Sequence, residues 1–418
     1  MKKLIYFIVL LFSISLINQQ LKAQVYDVLS IGPGYALDEY YSLENGTVKT
    51  IIRTDWDIAF FTDALSSGIS INGGAGVVLY TYPHNDTSTW ANIDTTGMSS
   101  WPELVNSEKS WEEGAFVQNA TGLPNDYGWG VYDSINQNLI GDSIFIIKLV
   151  NETYMKLWIV KKQSTANIYT FRFANLNGSG EQTIDLDCSP YVDKNFIYYS
   201  LETNTILDRD PPSDSWDLLF TKYNATQPIG VFFIVTGILT NKGIGTIRMA
   251  NVDPLIEDWG TLTFQDSLSN IGFNWKYFDL GMMQYFIVDS LVYFVQNFTG
   301  DNYKLVFDWF DGMSTGNAYI TKKLIINTGF EDLISLNEIE VFPNPASNNI
   351  SIKINMSIDE SDKVQVIDIL GQVVYSTKLN NTDGLLKIST RTWNSGLYFV
   401  SIQSGDQIIT KKVLVERN

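Results

Sequence analysis

Thr54-Asp55-Trp56-Asp57-Ile58-Ala59-Phe60 returns later in the chain as Asp214-Ser215-Trp216-Asp217-Leu218-Leu219-Phe220. In both copies Trp, a branched aliphatic and Phe fall on alternate positions, which is how a β-strand carries bulky groups on one face. On that reading Trp56, Ile58 and Phe60 share a face, as do Trp216, Leu218 and Phe220, with Asp57 and Asp217 turned the other way.

Further landmarks recur in the same order on either side of this stretch. Tyr40-Tyr41-Ser42-Leu43-Glu44 returns as Tyr198-Tyr199-Ser200-Leu201-Glu202, and Ile71-Asn72-Gly73-Gly74 as Thr240-Asn241-Lys242-Gly243. Trp129 has its counterpart in Trp275, and Met155-Lys156-Leu157 in Tyr303-Lys304-Leu305. A period of roughly 160 residues is a duplicated domain, since solenoid repeats run to only about 20 to 50. The units expected are 24–190 and 191–332. Within the second, Gly230 to Met249 reads as a strand, a turn at Asn241-Lys242-Gly243 and a returning strand. Ile144 to Val150 and Met155 to Val160 read as another hairpin. Helix signals are scarce, and the long loop Thr81 to Asn125 is where a binding function is expected.

Bulk properties agree. The chain has 418 residues, 45% apolar, 18% charged and 13% aromatic, which is globular in composition and rich in the wide, flat side chains that suit a pleated sheet. A mainly all-β fold is expected. A net charge of -18 disfavours nucleic acid. One cysteine, Cys188, excludes a disulfide framework, and one histidine, His84, removes most zinc sites and histidine-based catalytic sets.

The two ends carry their own signals. Residues 1–23 read as a secretory signal: Lys2 and Lys3, an apolar run from Leu4 to Ile17, and Leu21-Lys22-Ala23 before the expected start at Gln24. The run is shorter than the roughly 20 apolar residues that span a bilayer, and no transmembrane segment is expected. Residues 338–418 alternate in short runs broken by turn residues, enough for a small β-sandwich. Val341-Phe342-Pro343-Asn344-Pro345-Ala346, Val366 to Val374 around Gly371, Ser395-Gly396-Leu397-Tyr398-Phe399-Val400 and Lys411-Lys412-Val413-Leu414-Val415 resemble the type A carboxy-terminal sorting domain of the Bacteroidetes type IX secretion system. The resemblance implies that Pro343, Asn344, Pro345, Gly371, Gly396, Tyr398, Lys411 and Lys412 belong to a sorting signal read by the secretion machinery. It also implies a protein secreted or held on the outer cell surface.

The repeated landmarks of the middle resemble the HmuY-like family of secreted Bacteroidetes proteins, some of which hold haem iron between two axial His or Met side chains. That resemblance implies ligand capture without catalysis, with haem or another porphyrin as the leading ligand. His84, in the loop after Tyr82-Pro83, and Met282-Met283, beside Gly281, are the candidate haem ligands. A solvated loop histidine and core methionines are the competing readings. Trp90, Trp101, Trp111 and Trp129 offer either a stacking platform for sugar rings or ordinary packing. A glycan-binding or adhesive surface protein is therefore the alternative function. A hydrolase ranks third: Asp55 and Asp57 are a pair of acids, but no phosphate loop, nucleophile elbow or metal cluster accompanies them. Asp133-Ser134-Ile135, Asp142-Ser143-Ile144 and similar triplets resemble Bacteroidetes O-glycan attachment sites.

Overall fold

The computed structural model describes residues 24–83, 87–226, 232–325, 339–354, 363–368, 371–379, 385–404 and 407–417. Two compact units divide the chain near residue 326. Among the described residues every regular element is a strand or a short 3-10 turn, and all the strand pairing is antiparallel apart from one isolated bridge.

The first unit is built of four larger sheets and a two-stranded ribbon, Lys276–Asp279 with Gln284–Ile287, around two main apolar cores. An outer sheet built on Tyr154–Gln163 and Ile168–Asn175 faces an inner sheet of Thr205–Leu207, Phe196–Ser200, Ile58–Phe61 and Ile69–Ile71. Their shared core includes Ile58, Phe60, Trp129, Leu157, Phe171 and Tyr199. A second inner sheet, of Phe232–Thr240, Leu218–Thr226, Leu37–Ser42 and Gly46–Ile52, faces a second outer sheet built on Asn302–Phe310 and Asn317–Ile325. Tyr41, Leu43, Leu218, Phe220, Trp275 and Leu305 lie in that core. Alternation along each strand makes this possible: in Leu218–Thr226 the residues Leu218 and Phe220 enter the core, while Tyr223 and Ala225 enter a cluster on the other face.

The cores do not follow the repeat units 24–190 and 191–332. The first is built from residues between Ile58 and Leu201, and the second from Leu29 to Leu43 together with Leu218 to Ile320. Val25–Ser30 pairs with Asn317–Ile325, and Leu37–Ser42 with Leu218–Thr226, so the opening strands of the first repeat complete the second core. Reciprocally, Phe196–Ser200, from the start of the second repeat, pairs with Ile58–Phe61 in the first core.

The repeated Trp-Asp stretch is the joint of this exchange. Asp57 accepts from the backbone N–H of Leu201 at 2.7 Å, and Asp217 from that of Leu43 at 2.7 Å, so each copy's aspartate caps the Tyr-Tyr-Ser-Leu-Glu turn of the other. Both aspartates are buried, which raises their pKa above the ordinary range against the pull of these donors. Asn72 and Asn241 hold the two stretches alike: Asn72 donates to the carbonyls of Arg53 and Trp56, and Asn241 to those of Ser213 and Trp216.

Two expectations from the pattern are corrected. Trp56 and Trp216 do not share the face of Ile58/Phe60 and Leu218/Phe220: both lie before the strand begins, outside the two cores, edge-on to Tyr198 and Tyr40 at 4.8 and 5.0 Å. The stretch read as a hairpin from Gly230 to Met249, described from Phe232 on, is not one across its described residues either. Phe232–Thr240 pairs in the inner sheet and Gly245–Ala250 in the outer one, so the Asn241-Lys242-Gly243 turn carries the chain between layers. The Phe145–Lys148 and Tyr154–Gln163 hairpin is as expected.

The second unit is a β-sandwich. Ile339–Phe342, Asn349–Ile354 and Leu385–Ser389 form one sheet, and Val373–Lys378, Lys363–Asp368, Gly396–Ser404 and Gln407–Val415 the other, around Ile350, Ile352, Val364, Val400 and Val413. The Asn344 side chain accepts from the Leu414 N–H at 2.9 Å, and Ala346 and Glu416 bond the chain on either side, which staples the Pro-Asn-Pro-Ala segment to the last strand. Gly371 takes φ +77° in the turn closed by Asp368, a backbone that glycine adopts freely. The Tyr398 hydroxyl donates back to the Asn394 carbonyl at 2.9 Å, as tyrosine corners do in sandwiches.

The exchange of strands makes a direct prediction for fragments. Residues 54–210 contain the whole first core and will unfold cooperatively in urea as an isolated fragment, followed by circular dichroism. Residues 24–190, which lack the central strand Phe196–Ser200, will show no cooperative transition. The reverse pattern would contradict the exchange.

Candidate functional site

Between the two inner sheets lies a layer of polar and aromatic side chains. Arg209 is 2% exposed, and its guanidinium donates from Nε to Asp55 at 2.8 Å and from Nη2 to Asp38 at 3.2 Å and the Ile52 carbonyl at 2.6 Å. Burial works against the charge on Arg209, and the acidic groups around it outweigh that cost, so the guanidinium stays protonated. Asp38 takes a further bond from Thr221 Oγ1 at 2.6 Å and has Arg53 at 3.9 Å. Beside it, Asp210 accepts from the hydroxyls of both Tyr40 and Tyr198 and from the Phe196 N–H. The equivalent tyrosines of the two repeats thus meet on one buried carboxylate, whose pKa burial raises.

This layer is not filled. A cavity of about 90 Å³ is lined by aromatic side chains from both halves, among them Tyr40, Trp56, Phe196, Tyr198 and Tyr223. At about 10–15 Å³ per water by this measure, it has room for several waters or one small organic molecule. Its outer wall comes from the long loop, through Asn106, Ser107, Ser110 and Trp111. Trp111 Nε1 donates to the Thr240 carbonyl at 2.9 Å, and the Leu268 and Ser269 N–H groups donate to the Lys109 and Glu108 carbonyls. The loop of the first repeat is therefore pinned to the second. At the cavity's edge Gly74 lies flat on Leu218–Thr226: a Cβ there would fall 1.8 Å from the Lys222 carbonyl oxygen. Trp56 Nε1 and the Tyr223 hydroxyl, on residues that line the cavity, are buried with no partner.

The sequence-derived candidates lie elsewhere. His84 is outside the described residues. Met282 and Met283 sit on the turn between Lys276–Asp279 and Gln284–Ile287, 66% and 70% exposed, so neither is core and neither is enclosed. Met283 borders an open cleft with Tyr35, Phe278, Tyr285, Phe310 and Met313. Trp90 and Trp129 are buried, Trp101 packs edge-on against Tyr82, and Trp111 is committed to Thr240, so these four serve packing and form no exposed sugar platform. Asp55 is held by Arg209 and Asp57 by the Leu201 turn, which accounts for both acids structurally. Of the glycan-type triplets, Ser134 is exposed in a turn whereas Ser143 is buried. Sequence reasoning missed Arg209, Asp38, Asp210 and Tyr223. Only the tyrosines of the recurring Tyr-Tyr-Ser-Leu, and the pointer to the long loop, signalled the place.

Under the open cleft lies Lys276, whose ammonium donates to the Thr236 carbonyl at 2.6 Å and stands 4.1 Å from the Trp275 ring and 4.9 Å from the Phe310 ring. Among the described residues it has no carboxylate partner. Burial lowers its pKa from 10.5 to about 7.

Residues 340–416 match the secretion system C-terminal sorting domain. That segment is a type IX sorting domain; the protein is exported across the outer membrane to the cell surface or the medium, and the tail engages the secretion machinery. None of the described helices is long and apolar enough to cross a membrane. No curated protein matches the chain. Among solved structures, it is similar to a duf3244 family protein with an immunoglobulin-like β-sandwich fold from Bacteroides vulgatus ATCC 8482, at 21% identity over 19% of this chain and 85% of that one, TM-score 0.17. It is also similar to a biofilm associated protein, BSP domain, at 10% identity over 98% of this chain and 69% of that one, TM-score 0.16. With TM-scores this low, neither likeness says anything about function.

Two measurements test these assignments. Between pH 7 and about 10.5 the unfolded chain holds a proton on Lys276 that the folded chain does not, so this residue makes stability rise with pH across that window, by up to about 1.4 kcal/mol per unit. Lys276→Met will remove that slope and raise stability at pH 7 in urea titrations; an unchanged slope would contradict the burial argument. Deleting residues 338–418 will leave the protein in the periplasm on cell fractionation, and surface display of the truncated chain would sink the role of the tail.

Proposed function

We propose that this is an exported, surface-attached or released, non-catalytic ligand-binding protein whose ligand sits in the cavity between the two inner sheets. The cavity carries the reading. It is lined by both repeats and walled by a pinned loop, in a layer where the surrounding acids are all paired. The acids Asp38, Asp55 and Asp57 are each engaged by protein donors, which supports binding over hydrolysis.

The resemblance of the repeats to HmuY-like proteins supports capture as the role of the middle of the chain. A tetrapyrrole is too wide for the cavity, so haem or another porphyrin belongs at the open aromatic cleft, where Met283 and Met313 both line the wall and offer soft sulfur ligands.

Native mass spectrometry and thermal shift of the mature protein against a panel of small metabolites, haem included, test the proposal. A saturable ligand that raises Tm is expected, with a Soret change on haem addition that Met283→Ala reduces if the cleft takes porphyrin. No binding by any panel member would overturn ligand capture, and haem addition without a Soret change would remove the porphyrin reading alone.

A further inference from the structure

We infer that the outer face of the second outer sheet carries a site for a small quaternary ammonium compound, built on Tyr26, Trp309, Tyr319 and Asp308. It lies apart from the seam cavity, so its failure would leave the reading of that cavity standing.

Sheet geometry puts these groups together. Leu29, Phe307, Phe310, Ala318 and Ile320 turn into the core, so Tyr26, Val28 and Tyr319 face outward on the alternate positions. A β-bulge between Phe307 and Trp309 leaves both Asp308 and Trp309 exposed on the same strand. Trp309 then stands opposite Tyr319, and Tyr319 opposite Val28, with Tyr26 on the diagonal. All five line one open cleft.

The rings are held by their polar edges. Asp311 accepts from Trp309 Nε1 at 3.0 Å, from the Tyr319 hydroxyl at 3.2 Å and from Thr315 Oγ1 at 2.6 Å. Their faces are free: among the described residues no aromatic ring stacks on Tyr26, Trp309 or Tyr319, and no cation of the chain lies over them. Asp308 accepts from Thr321 Oγ1 at 2.8 Å and forms no ion pair among the described residues. Asp27, also in the lining, is paired with Lys322. Lys304 and Lys323 line the next depression, beyond Asp308, where Lys323 is paired with Glu257; neither lines this cleft.

Free aromatic faces beside one unpaired carboxylate attract a cation. A quaternary ammonium carries no N–H and asks for no acceptor, whereas a primary ammonium brings three donors and a sugar several hydroxyls, too many for a single carboxylate. The first half of the chain is an internal comparison. There a bulge between Ile159 and Lys161, in the same register, puts Lys161, Thr170, Asp185 and Thr183 where the second half has Trp309, Tyr319, Val28 and Tyr26. The fold therefore does not require aromatic residues at these places, and burial does not account for them, since Trp309 and Tyr26 are 47% and 76% exposed.

Titration calorimetry of the mature protein tests the assignment, with choline, the uncharged alcohol that carries a tert-butyl group in place of the trimethylammonium, glucose, and phosphatidylcholine vesicles. Choline is expected to bind one per chain, and the alcohol to bind about tenfold more weakly or worse, because only the charge differs. Trp309→Lys, which installs the residue of the first half, will abolish binding, and Asp308→Asn and the exposed Tyr26→Thr will each weaken it about threefold or more without lowering Tm. Met283→Ala, which lines only the neighbouring cleft, will leave it unchanged. Equal affinity for the alcohol, glucose binding more tightly than choline, binding to the vesicles alone, no choline binding, or unchanged affinity in Trp309→Lys would each overturn the assignment.

Discussion

A carboxylate withdrawn from water must be met by donors, and Asp57 and Asp217 each find theirs in the other half of the chain. Asp57 closes the turn at Leu201 and Asp217 the turn at Leu43, both at 2.7 Å. Leaving either group buried and unmet would cost more than an ordinary hydrogen bond is worth. The opening strands of each repeat are therefore held beside the other repeat's Trp-Asp stretch. The four-sheet order follows, since Leu37–Ser42 and Phe196–Ser200 each lie in the inner sheet that this pairing assigns them.

The same exchange creates the polar layer. Strands that alternate between faces give the two cores their apolar halves and leave the other faces opposed. There the equivalent tyrosines Tyr40 and Tyr198 converge on Asp210, and Arg209 bridges Asp38 and Asp55. Buried ion pairs of this kind add little net stability compared with apolar packing, because desolvation offsets attraction. They do dictate which groups must meet, and a cavity lies beside them. The duplication thus places a site where neither repeat alone would have one, on the seam between them.

Much of the architecture was legible in the chain. The recurring landmarks are structurally equivalent: Asn72 and Asn241 make the same two bonds, and Trp129 and Trp275 each enter one core and donate from Nε1 to a backbone carbonyl. The tail strands fall where alternation put them, with Ile339–Phe342 added ahead of the Pro-Asn-Pro segment. The site was hardly legible. Arg209, Asp38 and Asp210 are single charged residues in unremarkable surroundings, and their importance comes from burial, which no local pattern reports. Trp56 and Trp216 misled for a related reason: alternation holds only inside a strand, and both precede one.

Local chemistry, read from sequence alone, determined the β class, the duplication, the sorting tail and the pairing of Tyr-Tyr-Ser-Leu with Trp-Asp as landmarks, because strand alternation and turn residues act over a few positions. Which copy each strand joins was decided only by tertiary structure. An antiparallel partner is chosen by register and by the burial of Asp57 and Asp217, and the recurring landmarks offer equivalent partners in both halves. The cavity comes from that choice, since strands of both repeats line it.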